Sequence, residues 1–281
     1  MSEGMAIRVL GPLRVTVDGV PVALPAKQRR LLAILALQAN RDVPFERLIE
    51  ASWGADAEPG LVKTLQSHVF QLRRTLRGGG RDHDGVPRIV TDAGGYRLEA
   101  DPAAIDAPRF LALVTQAHAP GTDARTSMRL LTEALALWHG SSVADVGDEP
   151  ASLAEVRQLD ALRVAAIEDV MRVRLDLGEH ESLVPDLRRA LVDAPYNERL
   201  WTALMIALAR SGRRAEALLA YRDAAAALRR ELDIEPGPQL QAVARSLEAG
   251  SFIDHDPAAP GRSPVAHALG SLGPEDRISA C

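Results

Sequence analysis

The sequence has no run of about 18 apolar residues, few aromatic side chains and a single cysteine, and each scarcity narrows the class of protein. Without such a run nothing should span a membrane, and the first residues lack the charged-then-apolar profile of a secretory leader. Cys281 is the last residue and can close no internal disulfide. Aromatic residues make up only 4% of the chain, whereas alanine, leucine and arginine are abundant, which favours helix. These features predict a mainly helical, cytoplasmic protein.

Charge is unevenly distributed along the 281 residues, a length that favours two domains. The net charge is −5, which does not by itself suggest a nucleic-acid partner. Residues 1–100 carry 14 lysines and arginines against 11 acids, and the remainder carries 19 against 27. This uneven charge does not by itself indicate a binding partner. The positions of the positive charges are more informative.

Residues 1–100 have the pattern of an N-terminal sheet, three helices and a terminal hairpin. Alternating apolar residues precede an Asp18-Gly19 turn, and Asn40 suits the left-handed end of a helix. The predicted helices cover about 25–39, a short segment from Pro44 to Gly54, and 61–77, and the predicted hairpin strands are Arg88–Thr91 and Tyr96–Leu98. This order is typical of a winged helix-turn-helix, an α+β DNA-binding domain.

Residues 101–250 are predicted to be helical almost throughout. The candidate helices are 106–118, 124–138, 151–177, 180–193, 197–211, 213–231 and 237–248, separated mostly by glycine or proline. The tail, 251–281, is rich in Pro, Gly, Ala, Ser and Asp without an apolar period, and we expect it to be disordered. The whole is expected to be mainly α, with a winged helix followed by an all-α domain.

The helix predicted over 61–77 has two chemically different faces. Its apolar stripe, which should pack against the first two helices, consists of Leu65, Val69, Leu72 and Leu76. The segment contains four basic residues and no acid. The opposite face carries Lys63, Thr64, Gln66, Ser67, Phe70, Gln71, Arg74 and Arg77.

This polar face suits DNA recognition. Lysine and arginine neutralise phosphates, and glutamine and serine can read base edges in the major groove. Phe70 is unusual there: its ring could meet a thymine methyl group or pack on the wing. An ordinary amphipathic helix with a solvated basic face is the simpler alternative. The hairpin that follows favours DNA, because Arg88 and Arg97 lie on strands that would flank a minor groove.

Short motifs along residues 5–250 resemble one known family. In the N-terminal part these are Lys27-Gln28-Arg29, Trp53-Gly54, Lys63-Thr64-Leu65-Gln66, Leu72-Arg73-Arg74, Ile89-Val90-Thr91 and Gly95-Tyr96. In the C-terminal part they are Ala134-Leu135-Ala136-Leu137-Trp138, Leu175-Asp176-Leu177-Gly178, Glu198-Arg199-Leu200, Arg210-Ser211-Gly212-Arg213, Ala215-Glu216-Ala217-Leu218, Tyr221-Arg222 and Pro236-Gly237-Pro238. Together they resemble the Streptomyces antibiotic regulatory protein (SARP) family, in which an OmpR-type winged helix precedes a bacterial transcriptional activation domain.

The resemblance implies an activator of a secondary-metabolite, commonly antibiotic, gene cluster. It implies a head-to-tail dimer on direct repeats of promoter DNA near the −35 region, and recruitment of the RNA polymerase holoenzyme. It also implies that Lys63, Arg73 and Arg77 hold phosphates. Asp92 stands where many relatives carry a basic residue, and phosphate should repel it. By position, the residues expected to face the major groove are Thr64, Gln66, Ser67, Phe70, Gln71 and Arg74.

The C-terminal helices reproduce the spacing of a tetratricopeptide helix pair at Trp201, Leu204, Ala217, Tyr221 and Ala224. The small residues let the helices approach, while Trp201 and Tyr221 fill the space between them. Repeats of this kind must stack, and their grooves usually bind protein segments. A purely structural or dimerising block is the alternative.

Other functions receive no support from the sequence. It contains no Walker A motif, and we expect no catalytic site, cofactor or metal. Asp82-His83-Asp84 is interpreted as a solvated loop, and His68, at the edge of the apolar stripe, as a packing residue. The competing hypothesis is a tetratricopeptide-type adaptor whose winged helix binds protein instead of DNA.

Overall fold

The computed structural model describes residues 5–54, 56–57, 60–76, 87–92, 94–140 and 150–251. In the last of these ranges, side chains are described from residue 154 onward. The architecture is mainly α, with small antiparallel sheets confined to the N-terminal part. The predicted fold class, a winged helix followed by an all-α domain, is therefore confirmed. The predicted disordered tail, Ser251 apart, lies outside the described residues.

The N-terminal sheet has the order β1-β2-β3, formed by Met5–Arg8, Arg14–Val17 and Val20–Pro21. Asp18 and Gly19 connect the last two strands with φ angles of 50° and 79°. Positive φ at both central residues is the geometry of the tight hairpin turn that an Asp-Gly pair favours. The turn predicted from these two residues is present.

Three helices follow: α1 Ala26–Leu37, α2 Phe45–Trp53 and α3 Val62–Leu76. Their bounds lie within two residues of those predicted. Asn40 has the predicted left-handed conformation, with φ of 65°, and its backbone N–H donates to the Leu98 carbonyl at 2.8 Å. This bond ties the end of α1 to the wing.

The second sheet, ordered β4-β6-β5, contains the wing hairpin β5 (Arg88–Asp92) and β6 (Gly95–Glu99). The sequence did not predict β4 (Val43–Pro44), because two residues show no alternation. Gly95 allows this strand to approach: a Cβ at that position would lie 2.2 Å from the Val43 carbonyl oxygen.

A 3-10 turn at Pro102–Ala104 leads into the helical part of the chain. Its helices are α4 Asp106–Ala117, α5 Ala124–Leu135, α6 Pro150–Asp176, α7 His180–Asp193, α8 Glu198–Arg210, α9 Arg214–Leu232 and α10 Pro238–Glu248. The helix predicted over 124–138 ends three residues early. The reason lies in the following turn, where the backbone N–H of His139 donates to the Leu10 carbonyl at 2.9 Å.

The described chain forms two compact units, one of residues 5–116 and 132–162, the other of 117–131 and 163–251. In the first unit the end of β1 is held by Asp106, whose carboxylate accepts hydrogen bonds from the N–H groups of Val9 and Leu10 at 2.7 and 3.1 Å. Ile105 also forms a parallel bridge with Ile7. The division predicted at residue 100 stays a prediction.

The second unit has its own core, built from α7, α8, α9 and α10. Small side chains at Ala217, Ala220 and Ala224 are buried where α9 packs on α8. No helix within the described ranges has both the length and the apolar character needed to cross a bilayer.

Candidate nucleic-acid interface

The apolar stripe of α3 fixes which side of the helix faces outward. Leu65, Val69 and Leu72 are fully buried and Leu76 is 4% exposed, packed in the first unit with α1 and α2. These are the four residues predicted for the buried face. Because an α-helix turns 100° per residue, their burial forces the opposite side into solvent.

That outward side is polar and cationic. It contains no acidic residue between Val62 and Leu76. Seven of the predicted DNA-contacting residues are exposed on it: Lys63, Thr64, Gln66, Ser67, Phe70, Gln71 and Arg74. We call this set the α3 face. Of the two remaining predicted residues of the helix, Arg73 is half-buried and Arg77 lies outside the described residues.

Gln71 is held toward α1 by a partner that the sequence interpretation missed. The Gln28 side chain, 5% exposed, donates from Nε2 to Oε1 of Gln71 at 2.8 Å. A buried amide that touches an exposed one restricts its rotamer and directs its remaining hydrogen-bonding groups. Gln28 could have been found, because it is a polar residue at i−3 and i−4 from Leu31 and Leu32 on the apolar side of α1.

Arg73 joins α3 to the wing instead of pointing into solvent with the α3 face. Its Nε donates to the Ile89 carbonyl at 2.8 Å and its Nη2 to Thr91 Oγ1 at 2.7 Å. The guanidinium also lies over the Tyr96 ring, 5.5 Å from the centroid, and its charge opposes the effect of burial, which raises the pKa of that tyrosine. In this conformation, two of the donors expected to hold phosphate are occupied by the wing.

The wing arginines are paired with carboxylates. Arg88 Nε donates to Glu99 at 2.8 Å, although its side chain is 75% exposed. Arg97 lies within 4.0 Å of Asp42, Asp92 and Glu99. Asp42 was not among the predicted site residues. Exposed pairs of this kind are weak and can exchange for a phosphate, but three acids around Arg97 offset its charge.

The base of the interface is an aromatic contact among the three helices. Lys27 Nζ donates to the Ser52 carbonyl at 2.5 Å and lies 5.1 Å from the centroid of the Trp53 ring. His68 also packs on the Trp53 ring, with a centroid separation of 5.8 Å, and is half-buried. The role predicted for His68, packing and not chemistry, fits this position.

Comparisons with known proteins agree with this geometry. Residues 19–98 match the family described as "Transcriptional regulatory protein, C terminal", and residues 105–248 match "Bacterial transcriptional activator domain". The chain is 35% identical to Regulatory protein DnrI of Streptomyces peucetius over 93% of this chain and 99% of that one. It is 32% identical to Transcriptional regulator RedD of Streptomyces coelicolor, over 95% and 77%.

The chain belongs to the SARP family of transcriptional regulators. A solved structure agrees: that of Mycobacterium tuberculosis EmbR in complex with a low-affinity phosphopeptide has a TM-score of 0.80 and 30% identity, over 96% of this chain and 70% of that one. The SARP resemblance carried by the short motifs is thereby confirmed.

The second unit of this SARP regulator contains a groove of about 340 Å³ between α7, α8 and α9. Trp201 lines it and donates from Nε1 to the Pro195 carbonyl at 2.8 Å. Tyr221 packs against the core of the unit and is not among the lining residues. Leu219, 54% exposed, is an apolar residue that the sequence interpretation did not single out. The groove is lined by Arg188, Leu191, Trp201, Leu204, Glu216, Leu219, Ala220 and Asp223.

Asp82-His83-Asp84 lies outside the described residues. Within the described ranges, no three His, Cys, Asp or Glu side chains are grouped so as to hold a metal ion.

Proposed function

We propose that this SARP regulator is a sequence-specific, DNA-binding transcription activator that places α3 in the major groove. The single observation that carries the proposal is the α3 face: an acid-free, cationic surface held outward by four buried leucine and valine side chains. An α-helix fits the width of the major groove, and polar side chains on its outer face can reach base edges.

Roles are assigned by exposure and chemistry. The side chains proposed to contact base edges are Thr64, Gln66, Ser67, Phe70, Gln71 and Arg74. Lys63 is proposed to hold a phosphate at the N-terminal end of α3, where the helix dipole adds to its charge. Arg77 keeps the phosphate role that the family resemblance implies.

The wing and Arg73 take different parts in this proposal. Arg73 positions the wing hairpin against α3, so its effect on DNA passes through Ile89 and Thr91. Arg88 is the wing cation that can turn to a backbone phosphate, because it is the more exposed of the two wing arginines. Arg97 contributes less, since Asp42, Asp92 and Glu99 surround it.

The regulated target is proposed to be a secondary-metabolite gene cluster, on the strength of the SARP family membership. By the same resemblance we propose head-to-tail dimers on direct repeats near the −35 region, recruitment of the RNA polymerase holoenzyme, and action in the cytoplasm, where the chromosome lies. The groove of the second unit, with Trp201 in its wall, is the proposed surface for a protein segment.

Genomic footprinting followed by in vitro transcription tests the proposal. We expect protected direct repeats near the −35 region of a small set of promoters, and more transcript from those promoters when the full chain is added. Protection of inverted repeats would refute the head-to-tail arrangement. Protection without added transcript would refute activation, and an absence of any protected site would refute DNA reading.

A further inference from the structure

Phe70 is the largest apolar side chain on the α3 face. Its ring is 68% exposed, whereas the other hydrophobic residues from Leu65 to Leu76 are buried. The two other phenylalanines of the described chain pack on aromatic partners, Phe45 on Tyr96 and Phe110 on Trp138. Exposure to this extent rules out the packing on the wing that the sequence left open for Phe70.

The neighbours of Phe70 place its ring in the middle of the proposed reading surface. Gln66, Ser67 and Arg74, at i−4, i−3 and i+4, adjoin it on the helix surface, and all are exposed. Ser67 Oγ donates back to the Lys63 carbonyl at 3.0 Å, which keeps this small hydroxyl close to the helix. Gln71 is drawn toward α1 by Gln28. On the Ser67 side, the ring therefore extends farther from the helix than its polar neighbour does.

The major groove offers such a ring one apolar partner. Guanine, cytosine and adenine present hydrogen-bonding groups along the groove edge, and thymine adds the C5-methyl group. Contact with a hydrogen-bonding edge would strip water from it without replacing the lost bonds, which costs free energy. Contact with a methyl group buries apolar surface on both partners.

We propose that Phe70 is a specificity-determining residue that selects a thymine in each repeat by contact with its C5-methyl group. The inference rests on the proposed DNA-reading function and adds to it the base that one side chain selects. Between Lys63 and Arg74, α3 rises about 16 Å, so the selected thymine lies within the few base pairs that the helix covers, not in the flanks of the repeat.

The probe is a duplex obtained by selecting a random-sequence library with the full-length chain. Each thymine of the enriched site is replaced in turn by deoxyuridine, which removes only the methyl group and keeps base pairing. Dissociation constants are measured for the native chain, Phe70→Ala, Phe70→Leu and Lys63→Ala. The last is the matched control, because it weakens phosphate binding without touching the ring.

For the native chain we expect one thymine per repeat at which deoxyuridine weakens binding about fourfold, the equivalent of one buried methyl group. Lys63→Ala should bind more weakly overall but show the same loss of affinity when deoxyuridine replaces that thymine. Phe70→Leu should show a smaller loss. Phe70→Ala should bind the thymine and deoxyuridine duplexes equally. Uniform binding of the native chain to every substituted duplex would overturn the inference, as would an undiminished loss in Phe70→Ala. If the library yields no enriched site, the proposed function fails first, and the inference with it.

Discussion

Lys63 and Arg74 stand near opposite ends of the α3 face, and their substitution separates phosphate binding from base reading. Lys63→Ala should weaken binding to all duplexes and reduce the salt slope of log K by about 1. Arg74→Ala should cost about 1–3 kcal/mol on the selected site and relax preference at one base pair. Titrations at several salt concentrations measure both effects.

The matched control for these substitutions is Arg222→Ala, which removes an exposed positive charge from α9. It changes net charge equally but should leave DNA affinity close to that of the native chain. If Arg222→Ala weakens binding as much as Lys63→Ala does, general charge and not the α3 face drives association.

Asp106 makes stability depend on pH. Burial raises the pKa of its carboxyl above the usual 3.8, while the hydrogen bonds from Val9 and Leu10 and the nearby His139 act in the opposite direction. The folded state therefore holds this proton more tightly than the unfolded chain. The stabilising contribution is complete below about 3.8 and is lost as pH rises through the higher, folded-state pKa.

Asp106→Asn removes this titration while placing an N–H group against a backbone N–H. We expect lower stability at neutral pH, by about 1–3 kcal/mol, because one buried amide loses its acceptor. The stability difference between the native chain and the variant should widen as pH is lowered toward 4, as the native carboxyl gains its proton. Urea unfolding across this range measures it. A difference that is constant with pH would contradict the assignment.

At the scale of elements, the wing depends on α3 through Arg73. Arg73→Lys keeps the charge but cannot reproduce two directed N–H donors at once. We expect hydrogen exchange in residues 88–92 to quicken about tenfold, equivalent to about 1.4 kcal/mol of local opening free energy, and DNA binding to weaken with it. Arg88→Lys is the control, because its exposed pair with Glu99 is worth little. If hydrogen exchange in residues 88–92 is unchanged in Arg73→Lys, Arg73 does not hold the wing. Phosphate binding by Arg73 would then be the better explanation of any loss of DNA affinity.

The sequence predicted the long, periodic elements well, because amphipathic period and turn residues are local properties. The stripe from Leu65 to Leu76 determined the register of α3, and the Asp18-Gly19 turn was recognisable from two residues. β4 was missed because its pairing with β6 depends on Val43 meeting a glycine more than fifty residues away. The early end of α5 was missed because it depends on the Leu10 carbonyl.

The exposed face of the candidate site was likewise readable from the sequence, but the partners of its side chains were not. Burial of one stripe dictates which residues face outward. It does not reveal that Arg73 bonds the wing, that Gln28 holds Gln71, or that acids surround Arg97. Such contacts depend on how separate elements are placed in three dimensions.

At the scale of the whole molecule, binding and activation should be separable. Leu219→Ser alters an exposed apolar wall of the groove in the second unit and should leave the α3 face intact. We expect unchanged DNA affinity and transcription reduced by about tenfold, the effect of losing about 1.4 kcal/mol at an interface. Val192→Ser, at a site that is 78% exposed and not among those lining the groove, is the control. Equal activity of the two variants would exclude the groove as the activating surface.

The hydrogen bonds that Asp106 and His139 make to the first strand region bear on how such regulators can be recombined. A chimaera joined at residue 100 would attach the N-terminal residues to helices from another protein. Val9 and Leu10 would then lose their hydrogen bonds to Asp106, and Ile7 would lose its bridge to Ile105. Shuffling experiments that seek to transfer promoter choice between relatives should therefore carry the donor's residues to at least 140.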